Sequence, residues 1–444
     1  MISLIIIGYP ARILGPTNFG LVGFGTSLVA YAGILVLPGI TTWGTREIAR
    51  DRNKVGEVLV TVNVIRIFLA FITYFLLFLY CFYVIGEPKE RTVVLLCGLS
   101  VLSSSITIDW VFNGLELMRI PAFVNVFISV INVVGLFTLV HTPEDIYKYA
   151  LFAPALTFLN VIGCLVFFFR RKVKLIMPPL NILKKSIRAS LPLGIMMSIV
   201  VVLHFANNLI VKFYLGPTNL GIFMSAFMLI ELAATIPTIL ATVFLARLTR
   251  VSLASVNLAK RDTEIYAQVH MILGFFIASF FFAEAPSVIG ILYGNKYILA
   301  VELLRYMSVA VIFNYAIFGY TNCLISFGYD RVMLFVVIVS AIISVGGGLL
   351  LVPKLGVKGA AIIVIFVDLC GWLVSLPYYK KIVGSFHFNL WALPALGAIT
   401  IIFIAIGFQM FGVPFWIRII FCIICYSCFI YKDVSKTFKK HIVS

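Results

Sequence analysis

Long apolar segments recur from one end of the 444-residue chain to the other, and the charged residues fall mainly between them. Hydrophobic residues make up 62% of the chain and charged residues 11%, whereas an average soluble domain has roughly 25% charged residues. A run of about 20 apolar residues can cross the hydrocarbon core of a bilayer as a helix, which satisfies its own backbone hydrogen bonds. The sequence therefore predicts an all-α polytopic membrane protein.

Apolar runs that end at glycine, proline or charge predict about 14 transmembrane helices. The helix before Gly15 reaches only about 20 Å, so we expect the first helix to be short or truncated. The order of the runs predicts two pseudo-symmetric six-helix bundles plus two C-terminal helices. The predicted boundaries are residues 1–170 for the first bundle, 171–190 for a basic cytoplasmic linker, 191–380 for the second bundle, and 381–444 for the two extra helices with a basic cytoplasmic tail.

The formal net charge of +17 reflects lysines and arginines in the short connections between spans. One set of alternate connections holds more than twice as many of these residues as the other, and positive charge favours the cytoplasmic side. We therefore expect a multi-pass protein of the cytoplasmic membrane with both termini cytoplasmic. The charge indicates contact with the lipid bilayer and not with nucleic acid. The linker could lie on the inner leaflet or form a solvated loop.

One short turn sequence occurs twice in the chain. "ARILGPTNFG" runs from Ala11 to Gly20, and "YLGPTNLG" from Tyr214 to Gly221. The two copies align with an offset of 201, which also places Arg46 on Arg247. Each copy joins the first two spans of a predicted bundle, so the pattern indicates a duplication with both halves in the same membrane orientation.

Three motifs resemble the polysaccharide transporter family, the O-antigen and lipid-linked repeat-unit flippases of the multidrug/oligosaccharidyl-lipid/polysaccharide exporter superfamily. They are "ARILGPTNFGLVGF", "TREIAR" from Thr45 to Arg50, and "IDWVFNGLELMR" from Ile108 to Arg119. The motif positions, which we expect to be mainly structural, are Gly15, Pro16, Gly20, Arg46, Asp109, Asn113, Gly114, Gly216, Pro217 and Gly221.

The resemblance implies transport and not enzymatic chemistry. Proteins of this family move undecaprenyl-pyrophosphate-linked oligosaccharides from the inner to the outer leaflet by alternating access, with ion coupling, for the biosynthesis of lipopolysaccharide or exopolysaccharide. Expected partners are the lipid-linked oligosaccharide, the bilayer, a polysaccharide polymerase and chain-length regulators. The alternative is a cation-coupled multidrug exporter of the same fold.

Ionisable residues inside membrane spans are costly and are therefore functional candidates. We expect Arg12, Arg66 and Lys212 to form a cationic group that attracts pyrophosphate, although Arg12 and Arg66 could instead reach lipid headgroups. A stripe on the seventh span could line the substrate cavity or hydrogen-bond to neighbouring helices. It contains His204, Asn207 and Asn208.

Three acidic residues within spans are candidates for ion coupling: Glu231, Asp368 and Glu284. A carboxylate in a low-dielectric environment holds its proton more readily, which suits proton coupling. Asp109 could instead cap the end of the fourth span. The chain lacks the GxxxxGK[ST], HExxH and GxSxG patterns, and its histidines lack the spacing of metal ligands. We expect no enzymatic activity, cofactor or metal.

Overall fold

The structure is a computed structural model that describes residues 2–170, 173–254, 256–327, 329–383 and 389–427. Throughout this part the chain is helical, with short connections and three single turns of 3₁₀ helix. The predicted basic tail lies outside the described residues, as do residues 171 and 172 of the predicted linker.

The helices follow one another along the chain with short breaks between them. They are α1 (Ile2–Ile34), α2 (Gly39–Arg50), α3 (Val55–Tyr83), α4 (Pro88–Ser105), α5 (Asp109–Gly114), α6 (Arg119–Leu139), α7 (Ile146–Phe169), α8 (Leu180–Ala254), α9 (Val256–Leu292), α10 (Leu299–Ser326), α11 (Asp330–Leu355), α12 (Val357–Val383), α13 (Asn389–Met410) and α14 (Phe415–Ser427).

Among the described residues, 11 helices are long and apolar enough to cross a bilayer. Helix α3 shows the pattern clearly, because Phe68, Phe71, Phe75 and Phe82 all lie exposed on it, as side chains that face lipid do. The chain is a multi-pass membrane protein, and the prediction of an all-α polytopic fold is confirmed. The predicted count of about 14 is approximate, since α1 and α8 each contain two of the predicted spans and α14 is short.

Two helices end before the apolar runs that contain them. The apolar run that begins at Gly20 continues to Trp43, but α1 ends at Ile34, shortly before Leu37, which adopts φ 55°, and Pro38. The run that begins at Thr92 continues to Phe112, but α4 ends at Ser105. A run of serine and threonine hydroxyls there hydrogen-bonds to nearby carbonyl groups and competes with the helix.

Helix α8 begins at Leu180, inside the segment predicted as a linker. No proline or glycine interrupts residues 180–190, so the helix starts well before the apolar span. The division of the chain into six-helix bundles stays a prediction.

The chain forms two compact units, Met1–Gly221 and Ile222–Ser444. In the first unit, α2 and α5 pack on α3, α6 and α7 around a buried core that includes Ile48, Val62, Trp110 and Phe168. In the second unit, α9, α10 and α12 bury a core that includes Met271, Tyr320 and Tyr379.

Candidate functional site

The two copies of the repeated turn have the same backbone conformation. Gly15 adopts φ 75° and ψ 169°, and Gly216 adopts φ 84° and ψ 174°. This region of backbone space is essentially restricted to glycine. The duplication seen in the sequence is therefore also a duplication of backbone geometry, and it divides α1 and α8 at equivalent places.

Within the first unit the two turns contact each other reciprocally. The carbonyl oxygen of Pro217 lies against Gly20, and that of Pro16 lies against Gly221, so closely that a Cβ atom on either glycine would overlap it. Thr17 Oγ1 and Thr218 Oγ1 share a hydrogen bond of 2.8 Å. The two glycines permit a close backbone approach that any larger residue would prevent.

Lys212 lies one helical turn before Gly216 and is paired with Glu90 at the start of α4. The Lys212 Nζ atom is 2.6 Å from Glu90 Oε1 and 4.5 Å from the ring centroid of Phe24. The two side chains are only 14% and 10% exposed. Sequence reasoning missed Glu90 because it stands between Lys89 and Arg91 and looks like part of a charged loop.

Arg66 contacts the opposite end of α4. Its Nη1 donates to the carbonyl and hydroxyl oxygens of Thr107, each at 3.3 Å, and its Nη2 donates to the carbonyl oxygen of Ser104 at 2.5 Å. These bonds add to the hydrogen bonds that the same carbonyl groups accept from Thr107 and Trp110. Glu90 and Ser104 lie roughly 20 Å apart along the helix, so Arg66 and Lys212 do not form the single cationic group expected from the sequence.

The three polar residues of the stripe on α8 are partly exposed and partly buried. His204 is exposed, whereas Asn207 and Asn208 are buried. Asn208 Nδ2 donates to Ser27 Oγ on α1 at 3.0 Å, which is the interhelical hydrogen bond considered as the alternative. The Oδ1 atoms of both asparagines are buried without a hydrogen-bond partner among the described residues. Arg12, also expected near the substrate, is exposed on α1.

The three acidic candidates also differ in environment. Glu231 on α8 is exposed, and Asp368 on α12 is half-buried. Glu284 on α9 is 1% exposed and accepts a hydrogen bond of 2.9 Å from Nη2 of Arg418 on α14. The sequence analysis did not single out Arg418, although its place within an apolar run could have identified it as an intramembrane charge.

The motif residues of α2 and α5 pack against each other. Thr45 Oγ1 donates to the carbonyl oxygen of Trp110 at 3.1 Å, and Gly114 lies against Thr45 and Ile48 so closely that a Cβ atom would not fit without movement. Asp109 is half-buried in the first turn of α5, and Asn113 is exposed. Helix α2 leads into α3, and α5 joins α4 to α6, so the packing of α2 on α5 holds these connections together.

Arg46 and its repeat counterpart Arg247 have different surroundings. Arg46 is exposed on α2. Arg247 donates from Nε and Nη2 to the carboxylate of Asp262, at 2.8 and 3.2 Å. These hydrogen bonds raise the pKa of Arg247, which therefore stays protonated. Both guanidinium groups are thus exposed, and that of Arg247 is also paired with Asp262.

A groove of about 470 Å³ between α3, α4 and α7 is almost entirely apolar. Its lining includes Ile67, Phe71, Leu102 and Phe158, so it does not suit a hydrophilic sugar. Among the described residues, no group of three or more histidine, cysteine, aspartate or glutamate side chains is placed to hold a metal ion.

Solved structures that share this fold include transporters of the MOP superfamily. The lipid II flippase MurJ in an inward closed conformation matches with a TM-score of 0.72 and 14% identity, over 99% of this chain and 98% of that chain. An inward-facing multidrug resistance MATE transporter of the MOP superfamily matches with a TM-score of 0.68 and 16% identity, over 87% and 96%. A MOP superfamily transporter from Pyrococcus furiosus matches with a TM-score of 0.52 and 13% identity, over 86% and 91%.

The family follows from the sequence. The family model described as "Polysaccharide biosynthesis protein" matches residues 1–247, which is more than half of the chain. The protein therefore belongs to the polysaccharide biosynthesis protein family, and the resemblance stated from the motifs is confirmed. No curated protein sequence matches the chain.

Proposed function

We propose that the protein is a flippase for undecaprenyl-pyrophosphate-linked oligosaccharide repeat units. It moves them from the inner to the outer leaflet of the cytoplasmic membrane by alternating access, coupled to an ion gradient. The observation that carries the proposal is the family match over residues 1–247. The fold shared with a protein named as a lipid II flippase is consistent with it.

Arg66 is the cation best placed to meet the pyrophosphate. Its hydrogen bonds to the end of α4 fix the guanidinium group through uncharged acceptors, which are two carbonyl oxygens and one hydroxyl. The carboxylate of Asp109 also interacts with it electrostatically. A guanidinium group has five N–H donors, so about two are left for phosphate oxygens after these three bonds. Exposed Arg12 and His204 supply further polar contacts for the headgroup and its sugars.

Glu231 and Asp368 are the residues that would couple transport to an ion gradient. Neither side chain is fully buried within the protein. Glu284 is a weaker candidate, because Arg418 already neutralises it. On the outer leaflet the product would be available to a polysaccharide polymerase and its chain-length regulators.

Complementation tests this function. A strain that lacks its own repeat-unit flippase should regain surface polysaccharide when it expresses the protein, and Arg66→Gln should abolish that gain. Lys358→Gln is the matched control, because Lys358 forms an exposed ion pair with Glu302. Surface polysaccharide and membrane-inserted protein are both measured by immunoblot. Correctly inserted wild-type protein that restores no polysaccharide, across strains with different repeat units, would contradict the proposal.

A further inference from the structure

Three side chains from three helices meet one helical turn from the contact between the repeated turns. Lys212 precedes Gly216 by one turn of α8, Phe24 follows Gly20 by one turn of α1, and Glu90 begins α4. Phe213 packs on Phe24 edge to face, with the ring centroids 5.8 Å apart. The ion pair and the turn contact thus occupy the same end of the first unit.

We propose that Lys212 and Glu90 are a latch that holds the two repeated turns together, and that the latch opens and closes in each transport cycle. Lys212 then acts on a conformational equilibrium and does not bind the cargo. The transport cycle itself rests on the function proposed above, whereas the closing of the turns by the ion pair does not.

The burial of the ion pair is the first argument for a latch. Both side chains are nearly enclosed, with Nζ and Oε1 only 2.6 Å apart. Each charge compensates the other, and loss of one partner would leave a buried charge unpaired. Lys212 therefore presents little net charge to an anion in this conformation. The helices can separate only if both charges gain access to water together.

The composition of the turn contact is the second argument. It includes close backbone approaches of Gly20 and Gly221 to each other and to the proline carbonyl groups, and one hydrogen bond between hydroxyl groups. Thr17 and Thr218 are both exposed, so water can compete for the hydrogen bond between them. A small displacement would break every one of these contacts. The adjacent ion pair is therefore the charged interaction that holds the contact closed, beside the Asn208–Ser27 hydrogen bond that also joins α8 to α1.

Disulfide formation between Thr17→Cys and Thr218→Cys measures the closed state. The hydroxyl oxygens are 2.8 Å apart, so sulfur atoms at these positions can meet in the closed contact. The rate of oxidation by copper phenanthroline in isolated membranes is compared in four backgrounds. They are the wild-type pair, Glu90→Gln, Lys212→Gln, and the exchange Glu90→Lys with Lys212→Glu, and the single-cysteine variants are the controls.

We expect each neutralisation to lower the cross-linking rate severalfold and the charge exchange to restore it. Unchanged rates in both neutralised variants would overturn the proposal. This measurement needs no cargo, so it gives an answer even if the protein exports no polysaccharide.

Export by the charge-exchange variant distinguishes a latch role of Lys212 from a role in binding cargo. The charge exchange should support export in the complementation assay, because a latch needs opposite charges and not a cation at position 212. An exchange variant that cross-links like wild type but fails to export would show that Lys212 binds cargo. If the exchange variant does not insert into the membrane, oxidation of the double-cysteine protein tests whether the latch must open for export. It should stop export until dithiothreitol is added, and continued export with the disulfide formed would contradict a latch that opens.

Discussion

Gly20 and Gly221 illustrate how single residues limit this structure. Each lies against the carbonyl oxygen of a proline in the other turn, at a distance that leaves no room for a Cβ atom. The duplicated sequence pointed to these glycines and to Gly15 and Gly216, which the structure shows with positive φ. It could not predict that the two turns touch, because a contact across about two hundred residues has no local signature in one sequence.

We expect Gly20→Ala and Gly221→Ala to destabilise the protein by about 1–3 kcal/mol each, since the added methyl group must displace backbone. Gly33→Ala is the matched control on α1, where a Cβ atom would meet nothing within 4 Å. It should be neutral or should stabilise the helix by up to about 1 kcal/mol. Thermal unfolding in detergent measures the differences. Unfolding of both turn variants at the wild-type temperature would show that the turns do not pack as described.

Helix α14 is attached to α9 by hydrogen bonds from polar side chains. Arg418 donates to Glu284 Oε2 at 2.9 Å and to Ser287 Oγ at 2.7 Å on α9, and Tyr426 donates to the carbonyl oxygen of Ile272 at 2.6 Å. The apolar run predicted that a helix exists here. The polar partners could not be predicted, because Glu284 and Arg418 are separated by 134 positions.

We expect Arg418→Met to destabilise the protein by about 3–5 kcal/mol, because it leaves the carboxylate of Glu284 buried without its counter-charge. The double variant Glu284→Gln with Arg418→Met should lose less free energy of unfolding than Arg418→Met alone. The control is Lys358→Gln, which removes an exposed ion pair with Glu302 and should cost at most about 1 kcal/mol. Thermal unfolding in detergent compares the four proteins. Equal stability of Arg418→Met and Lys358→Gln would contradict a stabilising role for the buried pair.

For the molecule as a whole, composition and apolar segments predicted the all-α membrane fold, because the bilayer admits few other structures. The motifs predicted the family, which the match over residues 1–247 confirms. The proposed binding residues were harder to predict. Burial and pairing decide whether a charge is available, and the structure shows Lys212 paired, Arg66 fixed by carbonyl groups and Glu284 neutralised.

Reconstitution tests most directly whether the protein moves a lipid-linked oligosaccharide between leaflets. The purified protein is placed in liposomes that contain a fluorescent undecaprenyl-pyrophosphate-linked oligosaccharide in both leaflets, and dithionite is added outside to quench the exposed label. Liposomes with the wild-type protein should lose the protected fluorescence of the inner leaflet, whereas protein-free liposomes and liposomes with Arg66→Gln should retain it. Protected fluorescence that persists in the presence of folded wild-type protein and an ion gradient would contradict the function proposed for this chain.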